Sequence, residues 1–116
     1  MSDNFLVNFS IDFATKIVNL TEQIQGKGVL KSQILKSGTS IGANIHEANY
    51  AASKADFINK FQIALKECYE SDYWLGLFND TKMITEQEYQ NMYDKCSKIR
   101  KLLIASISTA KENKKE

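Results

Sequence analysis

Residues 37–48 read SGTSIGANIHEA and hold the most informative pattern of this chain. The segment has the apolar spacing of a helix, yet it contains Gly38 and Gly42 four residues apart. A glycine in a helix interior costs about 1 kcal/mol relative to alanine. Two glycines at this spacing lie on one helix face and let a neighbouring backbone come close. The segment therefore predicts a helix that packs tightly against another, and Ala64 of the third predicted helix is the expected counterpart.

The rest of the chain predicts three further helices. Apolar residues recur at intervals of three and four, proline is absent, and short polar or glycine-containing turns separate the periodic segments. Ser53 with Asp56, and Thr85 with Glu88, have the spacing of capping boxes. Helices joined by short loops pack as antiparallel neighbours. The prediction is one all-α domain over residues 1–116, an up-down-up-down four-helix bundle with helices at about 4–25, 29–49, 53–78 and 85–112.

Composition argues against several classes of protein. No apolar run approaches the roughly 18 residues of a membrane span, and the N-terminus lacks the pattern of a signal peptide, so a cytoplasmic location is expected. Di-iron bundles need two Glu-x-x-His pairs, whereas His46 is the only histidine and follows Ala43 by three residues. Cys68 and Cys96 are interpreted as small buried residues, with a disulfide or thiol switch as the alternative. We expect no enzyme activity, cofactor, metal or small-molecule substrate.

Basic residues are concentrated near the C-terminus. Residues 95–115 contain seven lysines and arginines against one acid, although the net charge of the chain is only +1. A solvated helix face explains this distribution. The alternative is a strip that contacts nucleic acid, although domains that bind nucleic acid by bulk electrostatics are usually strongly basic. The candidate contacts are Lys95, Lys98, Lys101 and Lys111.

Some polar residues fall on inward-facing positions of the predicted helices. Asp72 and Arg100 are inward, and because Asp12 comes at a similar height to Arg100, those two residues form a candidate ion pair. Asn44 lies at the edge of an apolar face, where a half-buried amide needs a hydrogen-bond partner. Glu47, one turn later on the same flank, is the candidate partner. Structural pairing that fixes helix register is the preferred reading, with a ligand-binding or catalytic role as the alternative.

The third predicted helix is apolar on two sides, and one bundle core uses only one of them. A second apolar stripe of this kind indicates an interface between subunits. Aromatic residues are enriched at such interfaces. The candidate interface residues are Ile63, Tyr73, Trp74, Leu77 and Phe78, with Glu70 in line.

Two segments carry a family resemblance. Residues 39–48, TSIGANIHEA, resemble the Ser-Ile-x-x-Asn-Ile-x-Glu-Gly signature of the small bacterial proteins called 23S rRNA intervening-sequence, or four-helix-bundle, proteins. Residues 57–64, FINKFQIA, followed by Glu70, resemble a second conserved segment of that family. Order, spacing and total length agree, so the resemblance covers essentially the whole chain.

The resemblance implies an antiparallel four-helix bundle that assembles into a ring, a homopentamer with a central opening. The accessory proteins of diversity-generating retroelements look similar, and there the ring binds a reverse transcriptase and nucleic acid. Ala48 stands where the family usually has glycine, which predicts that the second helix runs on past it. Glu67 stands where the family usually has a small residue. The positions carried over as structural or as subunit-boundary residues are Ser40, Asn44, Glu47 and Glu70.

The functional prediction is a non-enzymatic, homo-oligomeric scaffold or interaction protein. The alternative is an accessory protein that binds RNA or DNA, together with a reverse transcriptase, through the basic C-terminal helix. The retroelement accessory proteins are strongly basic and this chain is not, which favours the scaffold.

Overall fold

The structure is a computed structural model, which describes the backbone of residues 2–112 and the side chains of residues 5–112. It consists of four α-helices, and the described residues contain no strand. The all-α, four-helix prediction is therefore confirmed. The helices are α1 (Ser2–Glu22), α2 (Gly28–Ala48), α3 (Lys54–Asp80) and α4 (Glu86–Glu112).

Side chains cap the N-termini of α3 and α4, as the sequence predicts. The backbone N–H of Asp56 donates to Oγ of Ser53 at 3.1 Å. In α4 the exchange is reciprocal: the N–H of Glu88 donates to Oγ1 of Thr85 at 3.0 Å, and the N–H of Thr85 donates to Oε1 of Glu88 at 2.9 Å. These bonds satisfy backbone donors that have no partner within the helix.

The second helix ends at Ala48, so the expected continuation past this residue is wrong. The N–H of Tyr50 donates to the carbonyl of Glu47 at 3.0 Å, and the N–H of Ala51 donates to that of Ala48 at 3.1 Å. Bonds of this i to i−3 type tighten the last turn of a helix and end it without glycine. The first helix, predicted at about 4–25, both begins and ends earlier, since it starts at Ser2 and the chain leaves it at Glu22, before the left-handed residues Gly26 and Lys27.

The helices pack antiparallel around one core in an elongated body of 51 × 22 × 19 Å. Ser37 of α2 contacts Ser71 of α3, and further along both helices Glu47 contacts Lys60, so residue numbers rise in one helix as they fall in the other. Each helix packs against two neighbours, in the order α1, α2, α3, α4 and back to α1. The seam between α2 and α3 therefore lies on the opposite side of the bundle from the seam between α1 and α4.

All four helices contribute fully buried side chains to the core. Phe78 is one of them, which corrects its assignment to a subunit interface. Its position follows from spacing, because Phe78 lies one helical turn beyond the buried Leu75. The largest core side chains are Phe13, Phe61, Phe78, Leu6, Ile17, Ile34, Ile41, Ile45, Leu75, Ile99 and Leu103.

The glycines of α2 face α1, and the predicted contact between Gly38 and Ala64 is wrong. A Cβ atom on Gly38 would lie 3.1 Å from Cγ1 of Ile17, and one on Gly42 would lie 3.1 Å from Oγ of Ser10. Ala64 is buried in the core. The glycines therefore allow close packing, as their spacing indicates, but the helix that approaches is α1.

Candidate functional site

One group of predicted residues shares a single face of the bundle. These residues lie on the outer side of the seam between α2 and α3, at helix positions beside the line of the Ser37–Ser71 contact. They are Ser40 and Asn44 of α2, and Ile63, Glu70 and Trp74 of α3. All five side chains are half-buried. We call this set the α2–α3 face.

The amide of Asn44 bonds within its own helix. Its Nδ2 donates to the carbonyl of Ser40 at 2.8 Å. Glu47 instead accepts from Nζ of Lys60 in α3 at 2.9 Å, so the predicted Asn44–Glu47 pair is wrong. In the described part of the chain, Oδ1 of Asn44 and Oγ of Ser40 take part in no side-chain hydrogen bond. The α2–α3 face therefore carries polar atoms that remain available to a partner.

Two carboxylates lie on the α3 side of this face. Oε2 of Glu70 accepts from Nε1 of Trp74 at 3.2 Å, which fixes the indole ring against the helix. Burial raises the pKa of the Glu67 carboxyl, the neighbouring Glu70 raises it further, and Lys66 and Lys36 offset part of the effect. Glu67 therefore lies at a partly buried position, where its charged form is less stable than it would be in water.

The remaining predicted interface residues do not form one patch. Leu77 is half-buried, on the same flank of α3 as the α2–α3 face. Tyr73 is 63% exposed and points away from the core, and its ring meets Trp74 edge-on at 4.9 Å. The sequence therefore identified a half-buried flank of α3, and Phe78 does not lie on it because its side chain is in the core.

A second apolar surface, on α1, was missed by the sequence interpretation. Val7, Ile11, Ala14 and Val18 recur at intervals of four, three and four, on the flank of α1 that borders α2. Ile11 is 58% exposed and Val18 is 38% exposed. The spacing was available in the sequence as a second periodic stripe beside the core stripe of α1. We call these four residues the α1 stripe.

The basic residues of α4 are only partly brought together. Nζ of Lys95 lies 3.2 Å from Oδ2 of Asp12, and Nζ of Lys98 lies 4.7 Å from the ring centre of Phe9. Lys101 and Lys111 are exposed, and ten residues of helix separate them by roughly 15 Å. Of the four candidate contacts, Lys95 already pairs with a carboxylate, which it shares with Lys16.

Asp12 is engaged on the outside of the bundle and is not the partner of Arg100. Nη1 of Arg100 donates to Oδ2 of Asp72 at 2.6 Å, with the guanidinium near the rings of Tyr69 and Tyr93. Hydrogen bonds from Lys16 and then Lys95 lower the pKa of Asp12. Burial raises the pKa of Asp72, and the Cys96 thiol and Arg100 offset part of that rise. The Asp72–Arg100 pair joins α3 to α4 and is a structural contact.

The two cysteines are free and buried, on α3 and α4. Sγ of Cys96 donates to the carbonyl of Cys68 at 3.5 Å, and this neighbour together with burial raises the pKa of the Cys96 thiol. Within residues 5–112, no three His, Cys, Asp or Glu side chains are grouped so as to hold a metal ion. None of the described helices is both long and apolar enough to cross a membrane.

Comparison with known proteins agrees with this architecture. Residues 3–105 match the family described as 23S rRNA-intervening sequence protein. The chain belongs to this family. It is similar to a crystal structure from Bacteroides thetaiotaomicron, described as a protein with unknown function from the S23 ribosomal protein family. The two are 48% identical with a TM-score of 0.89, over 93% of this chain and 99% of that one. Curated proteins give no match.

Proposed function

We propose that this protein is a non-enzymatic, homo-oligomeric scaffold whose copies assemble through the α2–α3 face and the α1 stripe. The observation that carries the proposal is the presence of two separate, partly exposed surfaces with apolar side chains on one small bundle. The family resemblance adds the form of the assembly, a homopentameric ring.

A ring places specific demands on its subunits. Each copy must present two different patches, one for each neighbour, because a cyclic contact joins unlike surfaces. The α1 stripe supplies an apolar patch with Ile11 at its centre. The α2–α3 face supplies Ile63 and Trp74 together with polar atoms of Ser40 and Asn44 that can accept or donate across an interface.

The test is the mass of the protein in solution, measured by light scattering coupled to gel filtration at micromolar concentration. The expected mass for the pentamer is about five times the 13.2 kDa of one chain. Ile11→Arg should shift the mass towards that of the monomer, since a buried unpaired charge at an interface is strongly unfavourable. Ile104→Arg is the matched control, because Ile104 is 46% exposed on α4, away from both surfaces.

A monomeric wild-type protein would end the scaffold proposal. An oligomer whose mass is unchanged by Ile11→Arg would remove the α1 stripe from the interface. Far-UV circular dichroism of both variants should match the wild type, because Ile11 and Ile104 are both largely exposed and their replacement does not disturb the core.

The second candidate function is nucleic-acid association through α4. It is supported by Lys98 and Lys101, which form no salt bridge within the part of the chain that the structure describes. It is weakened by Asp12 and Asp94, which lie beside the same lysines and repel phosphate. Retention on single-stranded RNA that falls steeply with salt would support this alternative, and no retention at low salt would remove it.

A further inference from the structure

A groove runs along the seam between α1 and α4, opposite the α2–α3 face. One cavity of about 570 Å³ is lined in part by Phe5, Phe9, Lys98 and Leu102. A second, of about 490 Å³, continues along the same helices and shares Phe9, Asp94 and Lys98 with the first. The backbones of α1 and α4 come close over less of their length than those of the other three neighbouring pairs. We call this the α1–α4 groove.

The floor of the groove is apolar and its aromatic side chains are accessible. Phe5 is 59% exposed and stacks on Phe9 with ring centres 6.1 Å apart. Leu102 of α4 is half-buried beside them. Accessible aromatic rings flanking a concave apolar surface are typical anchors of a protein contact.

The positive charge of the rim is concentrated at one end. At the other end Asp12 is shared between Lys16 and Lys95, and Asp94, which lines both cavities, accepts a hydrogen bond from Gln90 at 2.9 Å but forms no salt bridge among the described residues. Lys98 lies over Phe9, and it and Lys101 lack an acidic partner among residues 5–112. An occupant that complements this rim is therefore apolar at its centre and carries its negative charge at the end that faces Lys98 and Lys101.

The dimensions match a helix. The lining residues of α4 extend from Asn91 to Leu102, which at 1.5 Å per residue is roughly 16 Å, or about three helical turns. A helix of that length presents apolar residues at positions i, i+3 or i+4 and i+7 to a groove between two helices. Nucleic acid fits less well, because its phosphates carry negative charge along the whole strand. In the groove, Asp12 and Asp94 lie towards the Asn91 end, whereas Lys98 and Lys101 lie towards the Leu102 end.

We propose that the α1–α4 groove binds an acidic amphipathic helix of a partner protein, with apolar side chains on Phe5, Phe9 and Leu102 and carboxylates facing Lys98 and Lys101. The proposal rests on the scaffold function only in treating the partner as its client. The groove itself lies within one subunit, so its binding and the oligomeric mass are separate measurements.

The test uses the full-length protein and a fluorescein-labelled helical peptide of about three to four turns, with leucine or phenylalanine on one face and glutamate on its flanks. Fluorescence anisotropy should show saturable binding to the wild type. Lys98→Glu with Lys101→Glu should weaken binding about tenfold or more, because two attractive charges become repulsive. Phe5→Ser should also weaken it by about tenfold through loss of an exposed aromatic anchor.

Two matched controls make the result specific. Lys111→Glu makes one replacement of the same kind on α4, outside the groove, and should leave the affinity within about twofold of wild type. A peptide of identical composition with its apolar residues scrambled should bind at least about tenfold more weakly, because its anchors no longer share one helix face. Circular dichroism should show that all variants remain helical, since every altered side chain is exposed.

The proposal is overturned if the peptide does not bind, or if it binds wild type and the Lys98→Glu, Lys101→Glu variant equally. It is also overturned if a single-stranded oligonucleotide binds the groove in preference to the peptide, with the same two lysines required. An oligomeric wild type that fails to bind the peptide refutes the groove alone. A monomer that binds it refutes the ring alone.

Discussion

Replacing Gly38 by alanine tests the close packing of α2 on α1. In an open helix interior this substitution stabilises by about 1 kcal/mol, because alanine has the higher helix propensity. The added methyl would lie 3.1 Å and 3.3 Å from Cγ1 and Cγ2 of Ile17. Ile17 is fully buried and β-branched, so it has little freedom to rotate away. Overpacking of this kind costs about 1 to 3 kcal/mol. The net expectation is a destabilisation of about 1 kcal/mol, the cost of overpacking less the gain in propensity.

Gly76→Ala is the matched control. Gly76 is in the interior of α3, and a Cβ atom there would meet nothing within 4 Å. We expect this variant to be about 1 kcal/mol more stable than the wild type, which places the two variants about 2 kcal/mol apart. Urea unfolding followed by circular dichroism measures both, at one protein concentration because assembly affects apparent stability. If Gly38→Ala stabilises as much as Gly76→Ala, the close approach of α1 does not constrain this position.

Two further predictions concern buried charge. Arg100→Met should destabilise the protein by about 2 kcal/mol in urea unfolding, because it leaves Asp72 without its cation. Adding Asp72→Leu should recover most of the lost stability, since no unpaired charge then remains. An Arg100→Met variant as stable as the wild type would contradict this prediction. The pKa of Glu67 is raised on folding, so its carboxyl lowers stability as pH rises through the folded-state value. Glu67→Gln should therefore match the wild type at acidic pH and become the more stable protein towards neutral pH, and stability curves that stay parallel between the two would refute the assignment.

The helices and their ends were largely predictable because they depend on local sequence. The Thr85–Glu88 capping box, for example, involves residues three apart and appears in the structure with both hydrogen bonds. The end of α2 was harder to predict, because the i to i−3 hydrogen bonds that end it require no particular residue type at Ala48. Boundaries set by backbone geometry alone are less visible than those set by a capping side chain.

Contacts between helices were predicted less well than the helices. Arg100 was correctly placed on an inward face but assigned to Asp12 instead of Asp72. Several residues have similar heights along the bundle axis, so height alone does not identify the partner. The partner depends on which way each side chain faces, which is set by the rotation of each helix about its own axis. For the same reason Gly38 was predicted to contact α3, whereas it contacts α1. The α2–α3 face was found in part, through Ile63, Glu70 and Trp74, because a second stripe on one helix is a local signal.

The positions of the seams have a consequence for valency. The α1–α4 groove lies opposite the α2–α3 face, and the α1 stripe is on the other flank of α1, the one that borders α2. In the proposed assembly, copies joined through these two surfaces would leave the groove open, and each added copy would contribute one identical groove at a fixed spacing. A client with several weak helical segments would be held by many of them at once, since each bound segment raises the effective concentration of the next. Weak single contacts would then be sufficient for stable capture.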